Sequence, residues 1–251
     1  MSGAAPVARA ISALTALELR LTARRGENIL ATIIIPVAVL LFFAGTSVIP
    51  LATRPVDFLL PGSIALGLIA AGLVNLGIAT AYDRSYGVLK RLGGSPLPRW
   101  GLVAAKLLAV GALEVVQVVV LIAVAVLILG WTPGPSWSAL LLVVALVLGT
   151  AAFAGLGLLL AGTLRAEAVL ALANALFLAL LMLGGIILPV DHLPDFLRPV
   201  AAFLPATALS ELLRIAFDSG NVASSAVAPP GILAAWAVAA IALAVRSFRW
   251  D

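Results

Sequence analysis

Long uninterrupted apolar runs, broken by short polar segments, set the pattern of this chain. A helix needs ~20 apolar residues to cross ~30 Å of hydrocarbon. Six stretches meet that need, at about residues 29–49, 58–81, 101–130, 138–164, 168–188 and 229–248. The last opens on Pro229 and Pro230, which suit a first helical turn because their missing N–H groups would be unpaired there anyway. Upstream, Val7 to Arg25 reads as an amphipathic helix. Ile11, Leu14, Leu17 and Leu21 can share one face, while Arg9, Glu18, Arg20, Arg24 and Arg25 bring charge. Such a helix lies in the membrane interface before the first span. It does not read as a cleavable signal peptide, because the apolar run starts too late and is too long for an h-region.

The expected architecture is an all-α polytopic membrane protein. Residues 1–27 form the amphipathic helix and 28–248 a single domain of six transmembrane helices. Residues 82–100 form an inner loop, and 189–228 an outer segment with short helices between spans five and six.

Composition narrows the class. Of 251 residues, 63% are apolar and only 10% charged, against ~45–50% and ~25% in soluble domains. The mean hydropathy is +1.22. A soluble protein of this size could not hide so much apolar surface, which excludes a soluble enzyme, a disordered chain and a nucleic-acid binder. Continuous apolar runs exclude an outer-membrane barrel, whose strands alternate in polarity. With no cysteine and one histidine, His192, disulfides, thiolate sites and His-rich metal clusters are excluded.

The net charge of +4 reads as loop topology. Twelve of the 15 Lys and Arg residues fall on one side of the six-span layout, and only Arg54, Arg198 and Arg214 on the other. That bias places both termini in the cytoplasm.

Few residues could carry chemistry inside the spans. Glu114 is the one acid well within a span, with Gln117 one turn on and Lys106 eight residues earlier. Lys106 is expected to snorkel to the inner surface. A buried membrane carboxylate faces either a cavity or a hydrogen-bonding partner. Asn75 and Asn174 read as interhelical hydrogen-bonding residues, and Gly67, Ala71, Gly72 and Gly77 as close-packing positions.

The inner loop predicts a short helix from Asp83 to Leu92. Leu89 and Leu92 form its apolar side, and Arg84, Lys90 and Arg91 its basic side. Gly93-Gly94 would end it, and Pro96 and Pro98 forbid its continuation. The outer segment carries Pro189, Pro194, Pro199 and Pro205, then an amphipathic stretch. There Leu209, Leu212, Leu213 and Phe217 oppose Ser210, Glu211, Arg214 and Asp218. Short helices at the outer surface fit this pattern, with His192 exposed or capping.

Two segments carry a resemblance to a known family. Asp83-Arg84-Ser85-Tyr86-Gly87-Val88-Leu89-Lys90-Arg91-Leu92, followed by Pro96, is similar to the E-R-x-x-G-T-L-x-R-L-x-x-x-P region of type-2 ABC exporter permeases. Asp83 stands for the usual Glu, and Val88 for Thr. Gly184-Gly185-Ile186-Ile187-Leu188-Pro189, with Leu193-Pro194 and Leu204-Pro205, is similar to the S-G-x-x-x-P-x-x-x-L-P…L-P stretch of that family.

The resemblance implies a permease without its own ATP site, and the chain has no G-x-x-x-x-G-K-[ST] loop. ATP and Mg would sit on a separate ATPase subunit, present in two copies beside two permease chains, with a homodimer favoured. No cofactor would be bound by this chain. The inner-loop helix would couple to the ATPase through Asp83, Arg84, Gly87, Leu89, Arg91 and Leu92. The second and fifth spans would line the path, making Asn75 and Asn174 candidates beside Glu114 and Gln117. The implied setting is a bacterial inner membrane, and the implied cargo a hydrophobic or amphipathic, drug-like substrate. A lipid or glycan exporter is the alternative within the family. A proton-coupled secondary transporter using Glu114 is the alternative outside it.

Overall fold

The computed structural model describes residues 7–24, 26–46, 54–93, 98–218 and 229–247, excluding the side chains of Glu27, Leu92, Gly93 and Arg99. The secondary structure of the described residues is all helical, with no strand among them. In chain order they comprise α1 (Val7–Arg24), α2 (Gly26–Ile29), α3 (Ile35–Ala44), α4 (Pro55–Ile69), α5 (Gly77–Ser85), α6 (Val88–Gly93), α7 (Arg99–Leu127), α8 (Ala139–Thr163), α9 (Ala166–Leu183), α10 (Arg198–Ala202), α11 (Pro205–Phe217) and α12 (Pro229–Ser247). Wide π-helical turns join α2 to α3 at Leu30–Ile34 and α4 to α5 at Ala70–Leu76.

Five helical stretches are long and apolar enough to cross a membrane: Pro55–Ser85, Trp100–Leu127, Ala139–Thr163, Ala166–Leu183 and Pro229–Ser247. A shorter apolar helix, Leu30–Ala44, stands where the first span is expected. Residues 47–49 of that expected span lie outside the described part. The fifth span ends sooner than its apolar run, because Gly185 takes a left-handed conformation (φ +64°) that turns the chain.

Pro55–Ser85 is the central column. It buries 78% of its most apolar stretch, whereas α9 buries 22%. Small residues allow this density. A Cβ on Gly72 would lie 2.8 Å from Ala154 N, and one on Gly157 would lie 2.4 Å from Gly72 O. The central column and α8 therefore meet backbone to backbone, the arrangement small residues permit in lipid. Gly155 of α8 meets Ala240 of α12 in the same way.

One end of the bundle is tied by a second apolar cluster. It joins Leu14 of α1, Leu89 of α6, Leu102 and Val103 of α7, Leu158 of α8 and Ala244 of α12. Arg84, Lys90, Arg91, Arg165 and Arg246 gather at this end by chain connectivity.

The outer segment differs from its sequence pattern. Helix α11 is buried on both faces, and its polar side does not look outward. It packs against α4, α8 and α12. Arg214 explains the inversion, because its guanidinium finds partners inside. It donates to Gly185 O and to Ser210 Oγ (3.4 Å), and lies 4.0 Å from the centre of the Phe58 ring. Burial pushes this guanidinium down to about 10, with the Glu211 charge opposing the shift. His192 is exposed.

Candidate functional site

The 83–93 segment is two helices rather than one. Gly87 adopts φ +73°, Tyr86 N–H donates to Tyr82 O (2.9 Å), and Gly87 N–H donates to Arg84 O (2.9 Å). These bonds close α5, and α6 restarts at Val88. The left-handed turn suits glycine, which pays no Cβ penalty there.

The residues of this segment divide by direction. Asp83 turns inward, with Oδ2 3.4 Å from Lys106 Nζ. Arg84 donates to Leu164 O at the end of α8. Leu89 is 1% exposed, within the second apolar cluster. Tyr86 (74% exposed), Val88, Lys90 and Arg91 face outward. The side chain of Leu92 falls outside the described part. Asp83, Arg84 and Leu89 thus fasten the segment to the bundle, while Tyr86, Val88 and Arg91 form its free face. Tyr86 and Val88 escaped the sequence reading. An apolar residue in a short amphipathic helix carries no mark of which side is covered.

Lys106 does not snorkel. Its side chain is fully buried, and Nζ lies 2.6 Å from Glu18 Oε1. Glu18, one of the charged residues of α1, faces α7. Thr15 Oγ1 adds a bond to Ala105 O (3.3 Å). Leu17 and Leu21 are exposed, as is Val7 at the start of α1.

Asn75 and Asn174 come together. They line a cavity of about 630 Å³ with Asn28, Tyr82, Tyr86 and Leu170. Asn75 Nδ2 donates to Thr32 Oγ1 (3.2 Å), and Thr32 Oγ1 in turn donates to Asn28 O (2.5 Å). Thr32 and Asn75 both sit in the wide π-helical turns, a feature frequent at functional sites. Asn174 Nδ2 bonds Leu170 O of its own helix (2.7 Å), and the residue is exposed. Three carboxamides and two tyrosines thus edge an otherwise apolar space. Such a lining suits a ligand that is mostly apolar with a few hydrogen-bonding groups.

Glu114 and Gln117 lie elsewhere. Glu114 accepts a bond from Thr150 Oγ1 of α8, and Gln117 Nε2 donates to Ile64 O of α4 (3.2 Å). Both are buried, and neither lines the asparagine cavity. A Cβ on Gly67 would sit 2.0 Å from Gln117 Nε2, so that glycine makes room for the amide. Among the described residues no group of three acids or histidines could hold a metal.

Residues 9–217 match the family described as "ABC-2 type transporter". The chain belongs to the ABC-2 type transporter family. Over 167 residues it is 28% identical to the "Probable multidrug ABC transporter permease YbhS" of Escherichia coli strain K12, and equally to the protein of that name from Escherichia coli O157:H7. The alignment covers 66% of this chain but only 44% of either relative. The matched stretch therefore spans less than half the relatives' length. In this ABC-2 chain the late glycine motif also has a physical role. Gly184 O accepts from Ser210 Oγ (2.9 Å) and Gly185 O from Arg214, so the motif's turn anchors α11.

Proposed function

We propose that this chain is the permease subunit of an ATP-driven exporter, working as a pair of permease chains with two separate ATPase subunits. The observation that carries this reading is the extent of the family match. Residues 9–217 include both the 83–93 segment and the asparagine cavity. Leu30–Ala44 supplies the sixth span, the basic end faces the cytoplasm, and both termini lie there in a bacterial inner membrane. Helix α1 lies in the interface on Leu17 and Leu21. ATP and Mg belong to the ATPase, which docks on Tyr86, Val88, Lys90 and Arg91.

Substrate passes along the cavity of Asn28, Asn75 and Asn174. An amide exposed within a span is costly against lipid, so the Asn174 face turns toward a water-filled path shared with the second permease. ATP drives the change of state by binding one conformation more tightly than the other. The cargo is hydrophobic or amphipathic, and drug-like efflux is favoured by the name of the multidrug relative.

The test is transport of a lipophilic dye in proteoliposomes holding the permease–ATPase complex. Joint replacement of Asn75 and Asn174 by leucine should cut transport roughly tenfold, a loss of about 1.4 kcal/mol, with the complex still assembled. Undiminished transport would sink the path assignment. The proton-coupled alternative is tested alongside it. Glu114→Gln keeps a partner for Thr150 and should cost about 1 kcal/mol of stability while transport persists. Abolished transport in a folded variant would return Glu114 to the path.

A further inference from the structure

We infer that Lys106 is a positioning residue that pins α1 to the 83–93 segment, so that the two move as one body when the ATPase acts. The inference rests on the permease reading above. Three elements meet at this ammonium: α1 through Glu18 at 2.6 Å, α5 through Asp83 at 3.4 Å, and α7, which carries it. The lysine side chain is fully buried, while the Glu18 and Asp83 side chains retain 18% and 26% exposure. Water therefore reaches the acids but not the cation. A buried ammonium must stay paired, because an isolated one in a low-dielectric site is strongly disfavoured. Displacing Asp83 alone or Glu18 alone leaves one partner in place; separating both elements from α7 leaves none. Either displacement costs the ammonium one of its two carboxylates, so the arrangement holds α1 and α5 together against α7.

Two further features make this more than local packing. First, α1 meets the same patch through Leu14, which shares an apolar cluster with Leu89 of α6. The ionic tie joins α1 to α5 and the apolar cluster joins α1 to α6, so both helices of the 83–93 segment are held. Second, a water-sized cavity of about 40 Å³ adjoins the ions, lined among others by Glu18, Asp83, Lys106, Asn28 and Asn75. Asn28 and Asn75 also line the 630 Å³ cavity. The ion cluster is thus one small cavity away from the path. Displacement of the coupling segment reaches Asn75 through this polar connection.

Buried ion pairs are weak contributors to stability, and replacing both partners together by neutral groups is frequently tolerated. This separates a positioning role from a structural one. The double variant Lys106→Met/Glu18→Gln removes one charge of each sign and leaves the partly hydrated Asp83. The complex should still fold, co-purify with its ATPase and hydrolyse ATP at the basal rate. Substrate stimulation should vanish, and transport per ATP should fall roughly tenfold. Full stimulation and transport in this variant would overturn the inference and leave the cluster a structural contact.

A second measurement covers a double variant that does not fold. The chain has no cysteine, so Ser12→Cys and Ser85→Cys, both at exposed positions, accept spin labels without background. The α1–α5 distance should be the same in the nucleotide-free and vanadate-trapped complexes. A shifted distance refutes the one-body motion. Should no ATPase associate with the unmodified chain, the permease reading fails first, and this inference falls with it. That outcome is distinct from a complex that forms but ignores Lys106.

Discussion

Replacing Arg214 by alanine is expected to destabilise the folded chain by about 3–5 kcal/mol. The guanidinium sits inside the bundle and satisfies three groups at once: Gly185 O at the turn after α9, Ser210 Oγ on its own helix, and the face of Phe58 on α4. Truncation leaves a cavity beside Phe58 and strands the Gly185 carbonyl, a loss larger than one hydrogen bond. It also removes the positive charge acting on the buried Glu211. Because α11 packs against α4, α8 and α12, the damage should spread through that part of the bundle. Trp131 reports on it directly, since its ring stands edge-on to Phe217 of α11 at 5.5 Å. Thermal unfolding in detergent, followed by tryptophan fluorescence, should show a midpoint lower by about 10 °C. Arg214→Lys should fall between, because one ammonium lacks the fork that reaches two acceptors. An unchanged midpoint in the alanine variant would show that the buried cation contributes nothing net.

The second large effect belongs to Leu89. Its side chain is buried among Leu14, Leu102, Val103 and Leu158. Leu89→Asp should therefore cost about 3–4 kcal/mol, combining lost burial with an unpaired buried charge. The whole end of the bundle should loosen, and ATPase association should fail as a consequence. Val88→Asp and Arg91→Glu act on the exposed face of the same short helix. They should weaken ATPase association while the melting midpoint stays put, because exposed substitutions rarely move stability by more than about 0.5 kcal/mol. Melting curves and pull-downs on the three variants separate the two behaviours. A stable Leu89→Asp chain that merely loses its partner would mean that Leu89 faces outward rather than packing against Leu14, Leu102 and Leu158.

Five of the expected spans were legible because lipid demands long apolar helices, and such runs leave little ambiguity in sequence. Pro229 and Pro230 at the start of α12, and the small residues that let α8 approach the central column, followed from the same rules. Polar residues were harder to place. Hydropathy assigns Lys106 and Arg214 to water, yet both find partners far along the chain, at Glu18, Asp83 and Gly185. Such pairings depend on tertiary contacts that no local pattern encodes. The break at Gly87 was readable in principle, since a glycine within a predicted helix permits a left-handed turn. Periodicity across Leu89 and Leu92 suggested continuity instead. The π-helical turns that carry Thr32 and Asn75 have no sequence mark at all. Asn75 and Asn174 could be singled out as amides within apolar spans, but their meeting around one cavity, with Asn28, required the fold.

The central claim is that this chain works with a separate ATPase. The most direct measurement is an affinity pull-down in mild detergent, from cells that also express its gene neighbours, followed by mass spectrometry and an ATPase assay. The account predicts a co-purifying soluble ABC-type ATPase and vanadate-sensitive hydrolysis, both reduced on replacing Arg91 by glutamate. A well-folded chain that purifies alone, with no hydrolysis, would contradict it.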